Sequence, residues 1–191
     1  MAAFSARYDA ALAFAARAHR NQQRKGTDVP YVTHPVHVSV LLIRHGFDEE
    51  IAIAALLHDV VEDCGVPIQR IEAEFGVGVA RLVDAVTERK GDGGAGLRWE
   101  ARKAASLARL RGAGADVAAL KAADALHNVR ALATDIGNHG PAVWERFKRG
   151  VEPSLWYYRE VLGVARAALG EHALLDELAA AIEDLERAAR P

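Results

Sequence analysis

Disulfide chemistry is excluded at the outset, because the chain has a single cysteine, Cys64, among 191 residues. One thiol and no bridge suggest a reducing compartment, and a cytoplasmic protein is expected. Excess positive charge is also missing: 24 Lys and Arg stand against 26 Asp and Glu, a net charge of −2. No nucleic-acid partner is therefore expected, and an anionic ligand must be met by a local cluster of Arg, Lys or metal. Apolar runs are short. None approaches the ~20 residues that a membrane span requires, and Arg7, Asp9 and Arg17 interrupt the N-terminal stretch where a signal peptide would need an unbroken core. No membrane partner is expected. Internal repeats and low-complexity tails are absent too, and aromatic residues make up only 6%. What remains is alanine in abundance with 26% charged residues, the balance of a soluble all-α protein folded as one unit over residues 1–191.

The stretch Ile51 to Asp63, IAIAALLHDVVED, stands out because an apolar run suddenly acquires a histidine and three carboxylates. Burying such groups unpaired is costly. On a continuous helix His58 and Glu62 lie four residues apart, as do Asp59 and Asp63, so two polar stripes share one turn. Nitrogen and oxygen donors gathered in this way suit a divalent metal. An isolated His-Asp pair is equally the wet cap of a helix, so the rest of the chain has to decide.

Helical spacing of Phe4, Tyr8, Leu12 and Ala15 predicts a first helix from Phe4 to about Gln23. It leads through Arg20, Gln22, Arg24 and Lys25 into the loop Gly26-Thr27-Asp28-Val29-Pro30, where the clustered charge suits a solvated helix end or an anion or purine contact. Thr33 is placed to cap the next helix, with Pro35 in its first turn and Gly46 as its stop. His34 thus stands at a helix start held by a rigid proline. His37 and His45 read as surface or satisfied structural residues. Asp48 caps the central helix. A short helix opening at Pro67 closes at Phe75-Gly76, and another runs from Val77 to Thr87.

Residues Glu88 to Gly96 form a glycine-rich loop without the ending of a phosphate-cradling P-loop. The helix from Arg98 to Arg111 carries Arg98, Arg102, Lys103 and Arg109 on what reads as a solvated face. Asp116 to about Ile136 is a long helix in which Lys121, Asp124 and Asn128 share one face. Two last helices cover about 142–169 and 171–188. Trp144, Phe147, Trp156, Tyr157 and Leu162 are their core or pocket-wall candidates, and Cys64 reads as a small buried filler.

Taken together, Arg24-Lys25, the segment Tyr31 to Pro35, the segment Ala55 to Asp63, Phe75-Gly76, Leu82-Val83, Val86-Thr87 and the segment Lys121 to Asn128 resemble the hydrolase domain of the RelA/SpoT family. That family lies within the HD-domain metal phosphohydrolases. The resemblance covers roughly residues 8 to 135 in order and implies a single HD-domain bundle of about eight to ten helices. Because the chain stops near residue 190, without space for a downstream synthetase domain, it is similar to the stand-alone small alarmone hydrolases.

The resemblance implies one metal, usually Mn²⁺, held by His34, His58, Asp59 and Asp124. It implies that Glu62 and Asp63 are the catalytic acidic pair, that Arg24 and Lys25 lie against the purine, and that Asn128 contacts the nucleoside. Ala125 and Ala122 depart from the family pattern, which has Arg or Lys at the first position and Leu at the second. The implied reaction removes pyrophosphate from the 3′ position of guanosine 3′,5′-bis(diphosphate) or its triphosphate relative. Two rivals keep their place: an HD phosphohydrolase of another nucleotide, such as an adenosine alarmone, NADPH or a nucleoside monophosphate, and a helical binding module with an idle site.

Overall fold

The seven residues Ile51 to Leu57 carry no charge and almost no polar surface, so a helix made of them is stable only where apolar neighbours surround it. The computed structural model, which describes residues 5–88, 98–140, 143 and 151–189, places them accordingly: each is at most 2% exposed. Among the described residues nine α-helices and no named strand are found. In chain order they are α1 (Ala6–Ala18), α2 (Thr33–Arg44), α3 (Glu49–Leu57), α4 (Val60–Cys64), α5 (Ile68–Val86), α6 (Trp99–Arg111), α7 (Ala115–His139), α8 (Val151–Leu169) and α9 (Ala173–Ala188). Helix α3 is the hub, packed against α1, α2, α5 and α7. Helix α7 carries the apolar face of a second layer to α8 and α9.

Local chemistry sets the ends of these elements. Ser5 caps α1 by accepting from the Tyr8 N–H, and Asp48 caps α3 by accepting from the Ile51 N–H at 3.0 Å. Thr33 does not cap α2, as its sequence position suggests. It lies inside the first turn, and its hydroxyl donates back to the Pro30 carbonyl at 2.9 Å. The first helix ends at Ala18 rather than near Gln23, because the chain turns at once into a tight loop. There Arg24 N–H donates to Val29 O and Tyr31 N–H donates to Gln22 O, both at 2.9 Å. That clasp brings Arg24, Lys25 and Tyr31 back over the start of α2.

The central helix is broken, not continuous through Asp63. Helix α3 stops at Leu57, α4 starts at Val60, and His58 and Asp59 form the turn between them. The His58 ring lies with Nδ1 at 2.7 Å from the Ala55 carbonyl, the acceptor that an unbroken helix would offer to the Asp59 N–H. The break aims both side chains to one side.

Other expectations fall differently. Phe4, Trp144, Phe147 and most of the glycine-rich loop lie outside the described residues. Trp156 is 38% exposed and is no core residue, whereas Tyr157 is buried. Cys64 is half-buried, with its sulfur 3.3 Å from His19 Nδ1.

Gly76 divides α5 as the sequence predicts. At φ 88° and ψ 163° it occupies a region that side chains forbid, so two helical pieces meet there at an angle. Gly76→Ala should lower stability by about 1–3 kcal/mol through backbone strain alone. Chemical denaturation of the two proteins checks this, and an unchanged midpoint would show that the kink relaxes at no cost.

Candidate active site

Three separated segments deliver four polar side chains to one point in this apolar frame. His34 comes from the first turn of α2, His58 and Asp59 from the break after α3, and Asp124 from the middle of α7. His58 Nε2 lies 3.1 Å from Asp59 Oδ2, and His34 Nε2 lies 3.6 Å from the same oxygen. Asp124 Oδ1 closes the group at 3.2 Å from His34 Nε2 and 4.0 Å from His58 Nε2. One donor atom from each of His34, His58 and Asp59 fits within 4.8 Å of the others, the spread of ligands around a single ion.

The donor chemistry fits a divalent cation. His58 Nδ1 faces a backbone carbonyl, so its hydrogen belongs there, and buried Nε2 has no hydrogen-bond partner. An imidazole oriented in this way turns Nε2 toward the cluster, where it can ligate an ion once its proton has left. Asp59 is held in turn by Tyr31, whose hydroxyl donates to Oδ2 at 2.6 Å. Lys121 donates to Asp124 Oδ2 at 2.8 Å, and Asn128 donates to Oδ1 at 2.6 Å. The shared face of Lys121, Asp124 and Asn128 therefore exists as the helical spacing predicts.

Electrostatics keeps the carboxylates ionised. Burial works against charge on Asp59, but His58 and then His34 outweigh it and hold the carboxyl well below the usual range. Asp124 follows the same pattern, with Lys121 the largest stabilising neighbour. Burial keeps His34 neutral, and burial with neighbouring His34 and Arg24 pushes the pKa of His127 down to about 3. Burial opposes charge on His58 too, yet there Asp59 and Asp124 prevail and lift the pKa to about 9.

The acidic pair stands beside the cluster rather than in it. Glu62 is half-buried and accepts from the Glu88 N–H at 3.1 Å, and exposed Asp63 accepts from Gln22 at 2.9 Å. Two cations of α6 are not solvated as the sequence suggests: Arg102 and Lys103 turn inward to Glu88 at 2.5 and 2.6 Å. Next to the cluster opens a cavity of about 490 Å³ whose wall includes Arg24, Lys25, Tyr31, His127, Asn128 and Tyr158. Arg24 lies over the Tyr31 ring and donates to Asn128 at 2.9 Å, so the loop and α7 are joined across it. All nine residues singled out for metal, acid–base or substrate roles thus belong to one region. Tyr158, and not Tyr157, reaches this cavity.

Tyr31, His127 and Glu88 have no role in the sequence reading. His127 carried a usable signal, since it is three residues from Asp124 and so on the same side of α7. For Tyr31 and Glu88 no spacing rule points to their distant partners.

Comparison with known proteins gives a consistent result. A family model described as an HD domain matches residues 11–149. The Danio rerio guanosine-3′,5′-bis(diphosphate) 3′-pyrophosphohydrolase MESH1 is 33% identical over 86% of this chain and 85% of its own length. An Aquifex aeolicus enzyme described by the same activity is 38% identical over 62% of this chain, which spans only 17% of that longer protein. Among solved structures, a metazoan ortholog of SpoT that hydrolyses ppGpp superposes with a TM-score of 0.80 at 30% identity, over the full length of both chains.

A divalent ion at this site must displace the proton that His58 holds. Because the pKa is raised, that proton stays bound through neutrality and leaves only as pH rises through about 9. Affinity for the ion should therefore climb roughly tenfold per pH unit up to about pH 9 and flatten above it. Calorimetric titration across that range tests this; a flat profile below about pH 8 would contradict it.

Proposed function

Because the chain belongs to the HD-domain family, within its branch of MESH1-like pyrophosphohydrolases, we propose that it removes the 3′-pyrophosphate from guanosine 3′,5′-bis(diphosphate) and its triphosphate relative. The products are pyrophosphate and GDP or GTP. The observation that carries this reading is the convergence of His34, His58, Asp59 and Asp124 beside a cavity whose wall holds Arg24 and Lys25. The four residues would hold one Mn²⁺. Such an ion, when bound, lowers the pKa of water and offsets charge on phosphoryl oxygens.

The remaining work falls to the chain itself. His58 accepts its orientation from the Ala55 carbonyl, and Asp59 from Tyr31, so neither needs to reorganise. Water attacks the 3′-linked phosphorus, the bond to the 3′ oxygen breaks, and that oxygen must gain a proton. In this reading Glu62 and Asp63 are the acidic pair, one taking the water proton and the pair returning one to the leaving oxygen. Arg24 is placed to stack on the purine and Lys25 to meet its phosphates, while Asn128 ties Arg24 to the metal ligand Asp124. Residues 1–191 act as one HD unit in this reading. Among the described residues no helix is long and apolar enough to cross a membrane, and we place the activity in the cytoplasm.

A panel of guanosine and adenosine alarmones, NADPH and nucleoside monophosphates, assayed with Mn²⁺ and with chelator, tests the proposal. Chelator-sensitive release of pyrophosphate from the guanosine substrates is expected; comparable turnover of plain monophosphates would replace this reading with a general nucleotidase. Glu62→Gln should keep the metal yet slow turnover by about 10²–10⁴-fold, and full activity in that variant would remove Glu62 from the chemistry. Arg24→Ala should act differently, raising KM with little change in kcat, because it removes binding shared by ground and transition states. Steady-state kinetics separates the two, and an unaltered KM would place the purine elsewhere.

A further inference from the structure

His34 presents Nε2 to the carboxylates, and its other nitrogen is not idle. His34 Nδ1 lies 2.8 Å from His127 Nδ1, and His127 Nε2 lies 2.9 Å from His37 Nδ1. At each contact one nitrogen must donate and the other accept. For neutral rings only two arrangements satisfy both contacts. In the first, His34 donates from Nε2 to Asp124 and accepts at Nδ1 from His127, which in turn accepts at Nε2 from His37. In the second every hydrogen sits on the opposite nitrogen: His34 Nε2 is bare, its Nδ1–H donates to His127, and the His127 Nε2–H donates to His37. A cation on His34 Nε2 permits the second alone.

We propose that His127 is the positioning residue for His34, and that with His37 it forms a relay in which an ion at His34 fixes the tautomer of all three rings. The inference rests on the metal reading above. The switch balances: the hydrogen on His34 Nε2 is released, each bridging hydrogen crosses to its partner nitrogen, and His37 Nε2 takes one from water. No net charge moves. His34 is 1% exposed, an imidazole free to turn would withdraw a ligand from the site, and His127 is the contact that holds its Nδ1 edge. His127 and His37 also line the cavity beside the cluster. Occupancy of the ion is thus written into the hydrogen-bonding character of the cavity wall.

The experiment measures Mn²⁺ affinity by chelator competition in the wild type, H127L and H127N, with thermal unfolding of each recorded. An Asn Oδ1 stands where His127 Nδ1 stands and can accept from the His34 Nδ1–H, whereas Leu only fills space. H127L should lose on the order of 10–100-fold in affinity, and H127N should recover most of it. A Leu variant that binds as the wild type does, or an Asn variant as weak as Leu, would overturn the relay. Nitrogen-15 spectra of the wild-type protein loaded with Zn²⁺ decide the matter even if H127L fails to fold. They should place the His127 hydrogen on Nε2, and a hydrogen on Nδ1 would refute the proposal. Absence of Mn²⁺ uptake by the wild type would sink the metal reading itself; uptake that is indifferent to His127 would sink only the relay.

Discussion

Two ionised carboxylates within a few ångströms of each other, at the edge of an apolar core, constitute the constraint on which the molecule depends. Asp59 and Asp124 are both held well below the ordinary carboxylate range, which a buried acid achieves only when cations and donors surround it. Here they are His58, His34, Lys121, Tyr31 and Asn128, supplied by the loop before α2, the start of α2, the break after α3 and helix α7. Removing any one leaves the others repelling. The loop before α2, the break after α3 and the face of α7 are bound into one structure by that mutual need.

Helix α3 makes the convergence possible because it is apolar on every side. A helix with one wet face would be fixed at the surface, and its end would open into solvent. Helix α3 is instead enclosed, so the chain leaving it at His58 emerges inside the bundle, and the turn at His58 and Asp59 aims two polar side chains at a point already sheltered. The same enclosure lowers the local dielectric and strengthens each hydrogen bond there. Gly46, which ends α2 at φ 83°, and the Asp48 cap fix where α3 begins, and so set where it ends.

Much of this was legible in the residues. The face shared by Lys121, Asp124 and Asn128 follows from helical periodicity, and the apolar length of α3 from the absence of charge. The stripe of Asp59 and Asp63 also keeps its helical register across the break, with the Asp63 N–H on the Asp59 carbonyl at 2.9 Å. The break itself could not be read: it depends on the His58 ring competing for the Ala55 carbonyl, and either outcome satisfies the local pattern. Tyr31 reaches Asp59 over 28 residues, and Arg102 and Lys103 reach Glu88 over 14 and 15. Such pairings are decided by tertiary placement, not by spacing. Trp156 shows the converse, an aromatic left 38% exposed between buried Leu155 and Tyr157.

The charge carried by the site follows from the same groups. With His58 protonated, two carboxylates face one imidazolium and the Lys121 ammonium, and the cluster is neutral. Exchange of that proton for a divalent cation leaves the cluster with one positive charge. In a low-dielectric recess a single unit of charge is felt strongly by a phosphorylated ligand. Glu62 and Asp63 do not cancel it at the cluster: Glu62 is turned toward the Glu88 amide and Asp63 toward Gln22, and Glu88 itself is matched by Arg102 and Lys103. Both acids are thereby engaged by partners outside the cluster.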